Sequence, residues 1–219
     1  VVWWDGKAFV GDVADGNPAL PPGKRHYAFI MRKDGPGDLF SPDLVEGPLP
    51  EHYEPLESPV PNAMSKQQTN PCIKVWRPEE VGGSEEFPIV CTTYRVSEHW
   101  QAGAMTRNLP WLVELVPTSF VEIGEELAAV KGIATGEKVT IRSKRGSIEV
   151  PALVTKRLPS LTVGGKKVHQ VGIVWHFGYE GLGTGPTAND LTPQVGDANT
   201  MIPEYKAFLV DVVKTGGAA

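Results

Sequence analysis

Proline restricts this chain more than any other feature. Thirteen of its 20 prolines fall before residue 91, in runs such as NPALPPGK, EGPLPEHYEPLESPVPN and TNPCIKVWRPEE. Proline fixes φ and removes a backbone donor, so residues 1–87 cannot be a succession of helices or central strands. The same stretch carries Trp3, Trp4, Phe9, Tyr27, Phe29, Ile30, Phe40 and Tyr53, too many aromatic and aliphatic groups for a free linker. The expectation is an extended, ordered segment with short strands at best, wrapped over a larger body and supplying few contacts to any site.

From residue 88 to 219 the pattern changes to that of a folded domain. FPIVCTTY is a short run of β-formers suited to a buried strand. HWQAGAMTRNLPWLVELVP reads as partly helical, with Pro110 in a first turn. SFVEI predicts a strand, and GEELAAVKG a short helix closed by Gly132 in a left-handed cap. EKVTIRSKRGSIEVPALVT alternates on both sides of SKRG, the mark of a hairpin. A second strand pair, LTV and VHQVGIVWHF, is expected to flank GGKK, and KAFLVDVV predicts a last strand. Short strands, small helices and glycine-marked turns point to a closed β barrel with α additions.

Composition removes several function classes. A formal charge of −5 gives no encouragement to a nucleic-acid or anionic-membrane reading, which wants a basic surface, although it leaves room for a local basic patch. No stretch reaches the roughly 18 apolar residues of a membrane span. The chain opens VVWWDGKAFVGD, without an initiator Met or a targeting leader, and the expectation is a piece of a larger protein. Cys72 and Cys91 are the only cysteines, and there is no C-x-x-C, so an iron–sulfur or structural zinc site is not expected. Two free thiols or one disulfide both fit.

Standard catalytic signatures are missing. The five histidines show no H-E-x-x-H spacing, and there is no G-x-S-x-G elbow. GYEGLGTGPTAND is glycine-rich but lacks the order and helix of a dinucleotide fingerprint, and GGKKV lacks the Ser or Thr of a phosphate loop. Three blocks invite a binding role instead. TTYRVSEHWQAGAMT gathers Thr92, Thr93, Tyr94, Arg95, Ser97, His99, Trp100 and Gln101 just after a strand, a set of donors that a diphosphate and nucleotide would use. A polar surface turn is the plainer alternative. WHFGYEG…ANDLTP contributes Trp175, His176, Gly178 and Asn189, or is a plain aromatic-lined loop. In DANTMIPEYKAF, Tyr205 and Lys206 precede the last strand, where a lone lysine by pattern is a solvated charge.

EHWQAGAMTR resembles the cofactor-binding segment of the molybdopterin-dependent oxidoreductases, the dimethyl-sulfoxide-reductase superfamily. FVEIGEELAAVKGIATGEKVTIRSKRGSIEVPALVTKR is similar to that family's strand–helix–hairpin unit, and DLTPQVGDANTMIPEYKAFLV to its closing segment. HYAFIMRKDGPGDLFSPDLVEGPLPEHYEPLESP resembles a segment of formate dehydrogenase large subunits. The resemblance implies a six-stranded double-psi β barrel over 88–219, preceded by an extended Pro-rich segment over 1–87 that packs on the rest of the large subunit. It implies a molybdopterin guanine dinucleotide, two per active site with tungsten or molybdenum, and a 4Fe-4S cluster elsewhere in the large subunit. Thr93, Arg95, His99, Trp100 and Gln101 match the block along the pterin and diphosphate. Asn189 and Lys206 match a cofactor-site asparagine and lysine, while Trp175, His176 and Gly178 lie where loop length varies. Tyr94 departs from the small residue of nitrate-reducing relatives.

By the same resemblance a selenocysteine or cysteine ligand lies outside this stretch, which would hold the cofactor rather than perform catalysis. Formate would be the substrate, an iron–sulfur electron-transfer small subunit the partner, and the periplasm the compartment. A nitrate or other oxyanion reductase, and a non-catalytic double-psi barrel for protein recognition, are the alternatives. His99, Asn189 and Lys206 are expected to open onto one groove.

Overall fold

The computed structural model describes residues 2–4, 6–7, 9–11, 45–46 and 51–216. By compactness the chain divides into two units, Val1–Pro48 and Leu49–Ala219. In the first, β1 (Val2–Trp4) and β2 (Phe9–Gly11) pair antiparallel with Trp3 opposite Val10. Tyr27, Phe29, Ile30 and Phe40 lie outside the described residues.

The second unit runs β3 (Lys74–Val75), β4 (Ile89–Tyr94), α1 (Pro110–Leu115), β5 (Val121–Gly124), α2 (Glu125–Lys131), β6 (Lys138–Arg142) and β7 (Ser147–Thr155). It continues with β8 (Leu161–Val163), β9 (Lys166–Val168), β10 (Gln170–Val174), β11 (Val195–Gly196) and β12 (Phe208–Lys214). Six of these close into the expected barrel in the order β10-β4-β12-β6-β7-β5. The barrel is mixed: β10–β4 and β5–β7 are parallel and the remaining pairs antiparallel. The period-2 pattern explains the closure. Ile89 and Cys91 on β4, Val139 and Ile141 on β6, and Ile148, Val150 and Ala152 on β7 are buried, whereas their neighbours face outward. Each fully buried Val or Ile contributes roughly 1.5–3 kcal/mol, so the interior of the barrel is the principal core. Cys72 and Cys91 are free, and burial pushes the Cys91 thiol far above its ordinary value, which suits a packing residue rather than a reactive one.

Local signals placed several elements correctly. The α2 helix carries Glu125 and Glu126 in its first turn and Lys131 in its last, matching the helix dipole. It ends on Gly132 at φ 63°, with the Ile133 amide donating back to Ala128 at 2.8 Å. The SKRG turn joins β6 to β7, Arg142 opposite Ser147. The stretch VHQVGIV is not one strand. It divides at His169, because β9 pairs only with β8 while the His169 carbonyl accepts the Val90 amide at 3.0 Å and starts the barrel strand β10.

Part of the proline-rich stretch lies with the barrel. Residues 49–87 fall in the same compact unit as residues 88–219. The reason is Glu57, a fully buried carboxylate that only the barrel can satisfy. It accepts the Gly82 amide at 2.5 Å, the Leu209 amide of β12 at 2.8 Å and both terminal nitrogens of Arg145. Arg145, from the β6–β7 turn, also donates to the Glu80 and Leu191 carbonyls. Removing one partner of such a buried pair strands the other, at about 3–5 kcal/mol. Glu57→Ala is therefore expected to lower the unfolding free energy of the protein by that amount in urea titration. A loss below about 1 kcal/mol, the scale of an exposed ion pair, would show that the segment is not anchored there.

Candidate functional site

Thr93, Arg95, Trp175, Asn189, Tyr205 and Lys206 surround one cavity of about 170 Å³, closed by Pro203. The β4 strand supplies Thr93, whose hydroxyl donates to the Tyr205 carbonyl at 2.9 Å, while the Thr93 amide donates to the same oxygen at 3.3 Å. Lys206 crosses back, its ammonium 2.5 Å from the Thr93 carbonyl. These bonds fix the approach to β12 against the end of β4, so residues 112 and 113 positions apart in sequence share a wall.

Cations dominate this cavity. Arg95 lies over the Trp175 ring, 4.9 Å from its centroid. Trp175 is stacked on His176 at 5.9 Å, so it acts as a shelf that holds the guanidinium in place. Burial, then the nearby Arg95 charge, pushes the Lys206 ammonium below its ordinary value. Among the described residues neither Arg95 nor Lys206 has a carboxylate partner. Two cations with no carboxylate ion pair among the described residues thus line one cavity.

Two larger cavities adjoin it. One of about 500 Å³ shares Asn189, Pro203 and Tyr205 and adds Trp76, Arg77, Gln194 and the acidic Glu80 and Asp190. Another, of about 410 Å³, shares Pro203, Tyr205 and Lys206 and adds Tyr53, Asn70 and the acidic Glu51, Glu54 and Glu204. Tyr205 lines all three. Trp76 lies against Gly196, where a Cβ would come within 2.8 Å of the indole, and the half-exposed indole lines the 500 Å³ cavity. The proline-rich stretch thus contributes Trp76 and Arg77 to the lining of a neighbouring cavity. Trp76 follows the β3 strand, which pairs with β11 beside that cavity, and that pairing leaves no local signal in TNPCIKVWRPEE.

Eight of the residues singled out from sequence do not line these cavities. On β4, Thr92 and Tyr94 alternate to the face opposite Thr93, and Tyr94 packs over Gly172, which has no Cβ to obstruct it. Burial and the neighbouring Glu122 raise the Tyr94 hydroxyl well above its ordinary value. His99 is buried, with ring nitrogens 3.2 Å from Thr106 Oγ1 and 2.8 Å from the Val116 carbonyl and its ring edge-on to Phe177. It organises the loop and does not open onto the groove with Asn189 and Lys206. Ser97 is exposed and bonded to Glu98, Trp100 is exposed, and Gln101 turns at φ 51° to present its carbonyl to His176. Gly178 sits at φ 115°, where a Cβ would meet Thr187 at 2.4 Å.

His176 is the hub of that loop. The Val96 amide donates to Nε2 at 2.9 Å, and Nδ1 donates to the Gln101 carbonyl at 2.5 Å. Both bonds together require the neutral ring. Burial lowers its proton affinity, against the pull of the Gln101 carbonyl. The unfolded chain takes up this proton near pH 6.5, above the folded value, so stability is full above that pH and falls as pH drops through the folded value. The urea midpoint is expected to drop on acidification from neutral pH more steeply than in His176→Asn. Equal slopes would remove His176 from the account.

Residues 89–209 match the family described as "Molydopterin dinucleotide binding domain". The chain is 47% identical over 221 residues to formate dehydrogenase subunit alpha of Megalodesulfovibrio gigas, covering 98% of this chain and 22% of that protein. It is 45% identical over 226 residues to the nitrate-inducible formate dehydrogenase major subunit of Escherichia coli, again 98% and 22%. The periplasmic nitrate reductase of Desulfovibrio desulfuricans aligns at 38% over 85 residues, 37% of this chain and 11% of that protein. The chain therefore spans about a fifth of the length of its formate dehydrogenase relatives. With the barrel and a match over more than half of its residues, the chain belongs to the molybdopterin dinucleotide-binding domain family.

Proposed function

We propose that this chain is the cofactor-holding part of the large subunit of a molybdenum- or tungsten-dependent formate dehydrogenase, and that its groove binds a molybdopterin guanine dinucleotide. The observation that carries the reading is the Arg95–Lys206 pair, two cations on one cavity with no carboxylate ion pair among the described residues. A diphosphate supplies the missing charge. The relatives support the formate reading over the nitrate one, because the match to formate dehydrogenases includes the proline-rich stretch and the match to the nitrate reductase covers little more than a third of the chain.

The donor set fits the cofactor in detail. Arg95 and Lys206 donate charge-assisted bonds to phosphate or pterin oxygens. Asn189 offers an amide that both donates and accepts, as a heterocycle edge requires. Trp76, half-exposed on the neighbouring cavity, would offer an aromatic surface to a ring. The bound cofactor supplies the two-electron chemistry that converts formate to carbon dioxide. Thr93 and Tyr205, locked to one another through the backbone, keep the groove's width constant. The metal's selenocysteine or cysteine ligand, a second dinucleotide contact surface and the 4Fe-4S cluster belong to other parts of the large subunit, and an iron–sulfur small subunit receives the electrons. A periplasmic setting accords with this reading.

Two outcomes test it. The full-length large subunit is expected to oxidise formate with an artificial dye acceptor, whereas residues 1–219 alone are not. Dye reduction by this stretch above a boiled control contradicts the division of labour. In the full-length protein, Lys206→Ala leaves a buried cofactor acceptor unpaired, at roughly 1–3 kcal/mol. Pterin content after gel filtration is expected to fall, or the metal potential to shift, while the fold is retained. Unchanged content, potential and turnover would return Lys206 to the solvated surface.

A further inference from the structure

Arg95, one of the two cavity cations, stands where the sheet has already ended. The parallel ladder of β4 and β10 closes on the Tyr94–Val174 pair, so Arg95 and Trp175 are the first residues beyond it on either strand. Both are held past that point by His176. Its Nε2 accepts the Val96 amide at 2.9 Å, one residue from Arg95. Its ring stacks on Trp175, the indole beneath the guanidinium. Nδ1 donates to the carbonyl of Gln101, which sits at φ 51°, a left-handed conformation that costs a residue with a side chain some energy. One buried imidazole thus supports the backbone beside Arg95 and the surface on which its side chain rests.

This support exists in one protonation state. Nε2 accepts from Val96 only while it carries no proton, and a second proton on the ring turns it into a donor facing a donor. The surroundings favour neutrality. His176 is fully buried, and three basic groups lie about it: Arg95 over the adjoining Trp175, His99 with its ring 6.1 Å away, and Arg107 beside the adjoining Phe177. The nearest carboxylates in sequence on the two loops are engaged elsewhere or face water, Glu98 being bonded to Ser97 and Glu180 exposed. Burial, with His99 and Arg95 adding to it, lowers the proton affinity of His176 against the pull of the Gln101 carbonyl. The ring is therefore neutral at pH 7 and takes up its second proton below the usual histidine range.

We propose that His176 is a proton-operated positioning residue: neutral, it holds Arg95 at the cavity shared with Thr93 and Lys206, and protonated, it lets Arg95 go and loosens the bound dinucleotide. The inference rests on the reading above that this cavity takes the cofactor. The diphosphate of a dinucleotide stays ionised across the range in which histidine titrates, so a pH dependence of its binding belongs to the protein. Two effects oppose one another. A bound anion attracts a proton toward His176 through space, which by linkage means tighter binding in acid. Inversion of the Val96 bond means the reverse, and because it acts at contact distance on the residue next to Arg95, it is the effect that wins.

The rate at which pterin leaves the full-length large subunit tests the proposal. Protein is held at pH about 7.5 or about 5, on either side of the ordinary histidine value, and released pterin is separated by gel filtration and measured by its fluorescence after oxidation. Wild type is expected to release it about tenfold faster at the lower pH, the equivalent of one lost hydrogen bond. His176→Gln, whose carboxamide accepts the Val96 amide at either pH, is expected to release it at one rate. In Arg95→Ala release is fast at both values, and adding His176→Gln changes nothing further. Equal or slower release by wild type in acid overturns the proposal. So does an acid acceleration that persists in Arg95→Ala, because His176 would then act on the fold and not through Arg95. A second measurement needs no variant. Hydrogen exchange at the Val96 amide, taken relative to the barrel amide of Val90 that donates to the His169 carbonyl at 3.0 Å, is expected to lose protection on the same acidification, and a constant ratio overturns the proposal. Wild-type protein that carries no pterin yet shows this opening refutes the cofactor reading and leaves the hold of His176 on Arg95 standing. Pterin bound equally firmly at both pH values refutes the proton-operated hold alone.

Discussion

The structure turns on one buried ion pair. Glu57 and Arg145 are almost wholly removed from water, where each charge alone would be costly. Between them they collect the Gly82 and Leu209 amides and the Glu80 and Leu191 carbonyls. Five separated stretches of chain are thus brought to one point: the proline-rich segment, its continuation at residues 80–82, the β6–β7 turn, the loop after Asp190 and the start of β12. Arg145 also lines the largest of the three cavities. The pair that fastens the extended segment to the barrel therefore also sets the position of that cavity's wall.

Groove chemistry follows from that placement. Thr93 lies one residue from the end of a barrel strand, and Tyr205 and Lys206 approach the strand paired beside it, so a few bonds to backbone suffice to hold them together. Arg95 is exposed by position, yet the Trp175–His176 stack beneath it keeps its guanidinium from wandering. His176 is fixed in turn by bonds that demand a neutral ring. The site is rigid because its cations rest on aromatic and backbone supports instead of on carboxylates. That arrangement leaves their charge available to a ligand.

The histidine and tyrosine at this site show how residue type misleads without geometry. His99 has the chemistry of a ligand-binding side chain, but its two ring nitrogens are spent on Thr106 and Val116. Tyr94 sits between two site residues in sequence and on the other side of the strand in space. Conversely, Trp76 lies in a stretch that proline alone would mark as wrapping, and a two-residue strand pairing carries it into the lining of a neighbouring cavity.

What the amino-acid sequence determined by itself is everything governed by near neighbours. Alternation marked the buried faces of β4, β6 and β7, glycine closed α2, and SKRG turned the hairpin, because strand pleat, left-handed caps and tight turns depend on residues only a few positions apart. Resemblance to a family added the six-stranded form of the barrel and the groups of residues around a cofactor. Only the tertiary structure decided which of those residues meet. Glu57 and Arg145 lie 88 positions apart and Thr93 and Lys206 113. The parallel β10–β4 pair that orients the groove joins strands separated by most of the domain. No local periodicity encodes such pairings. They arise when closure of the barrel and satisfaction of buried charge are solved together, and the energy of each depends on the other.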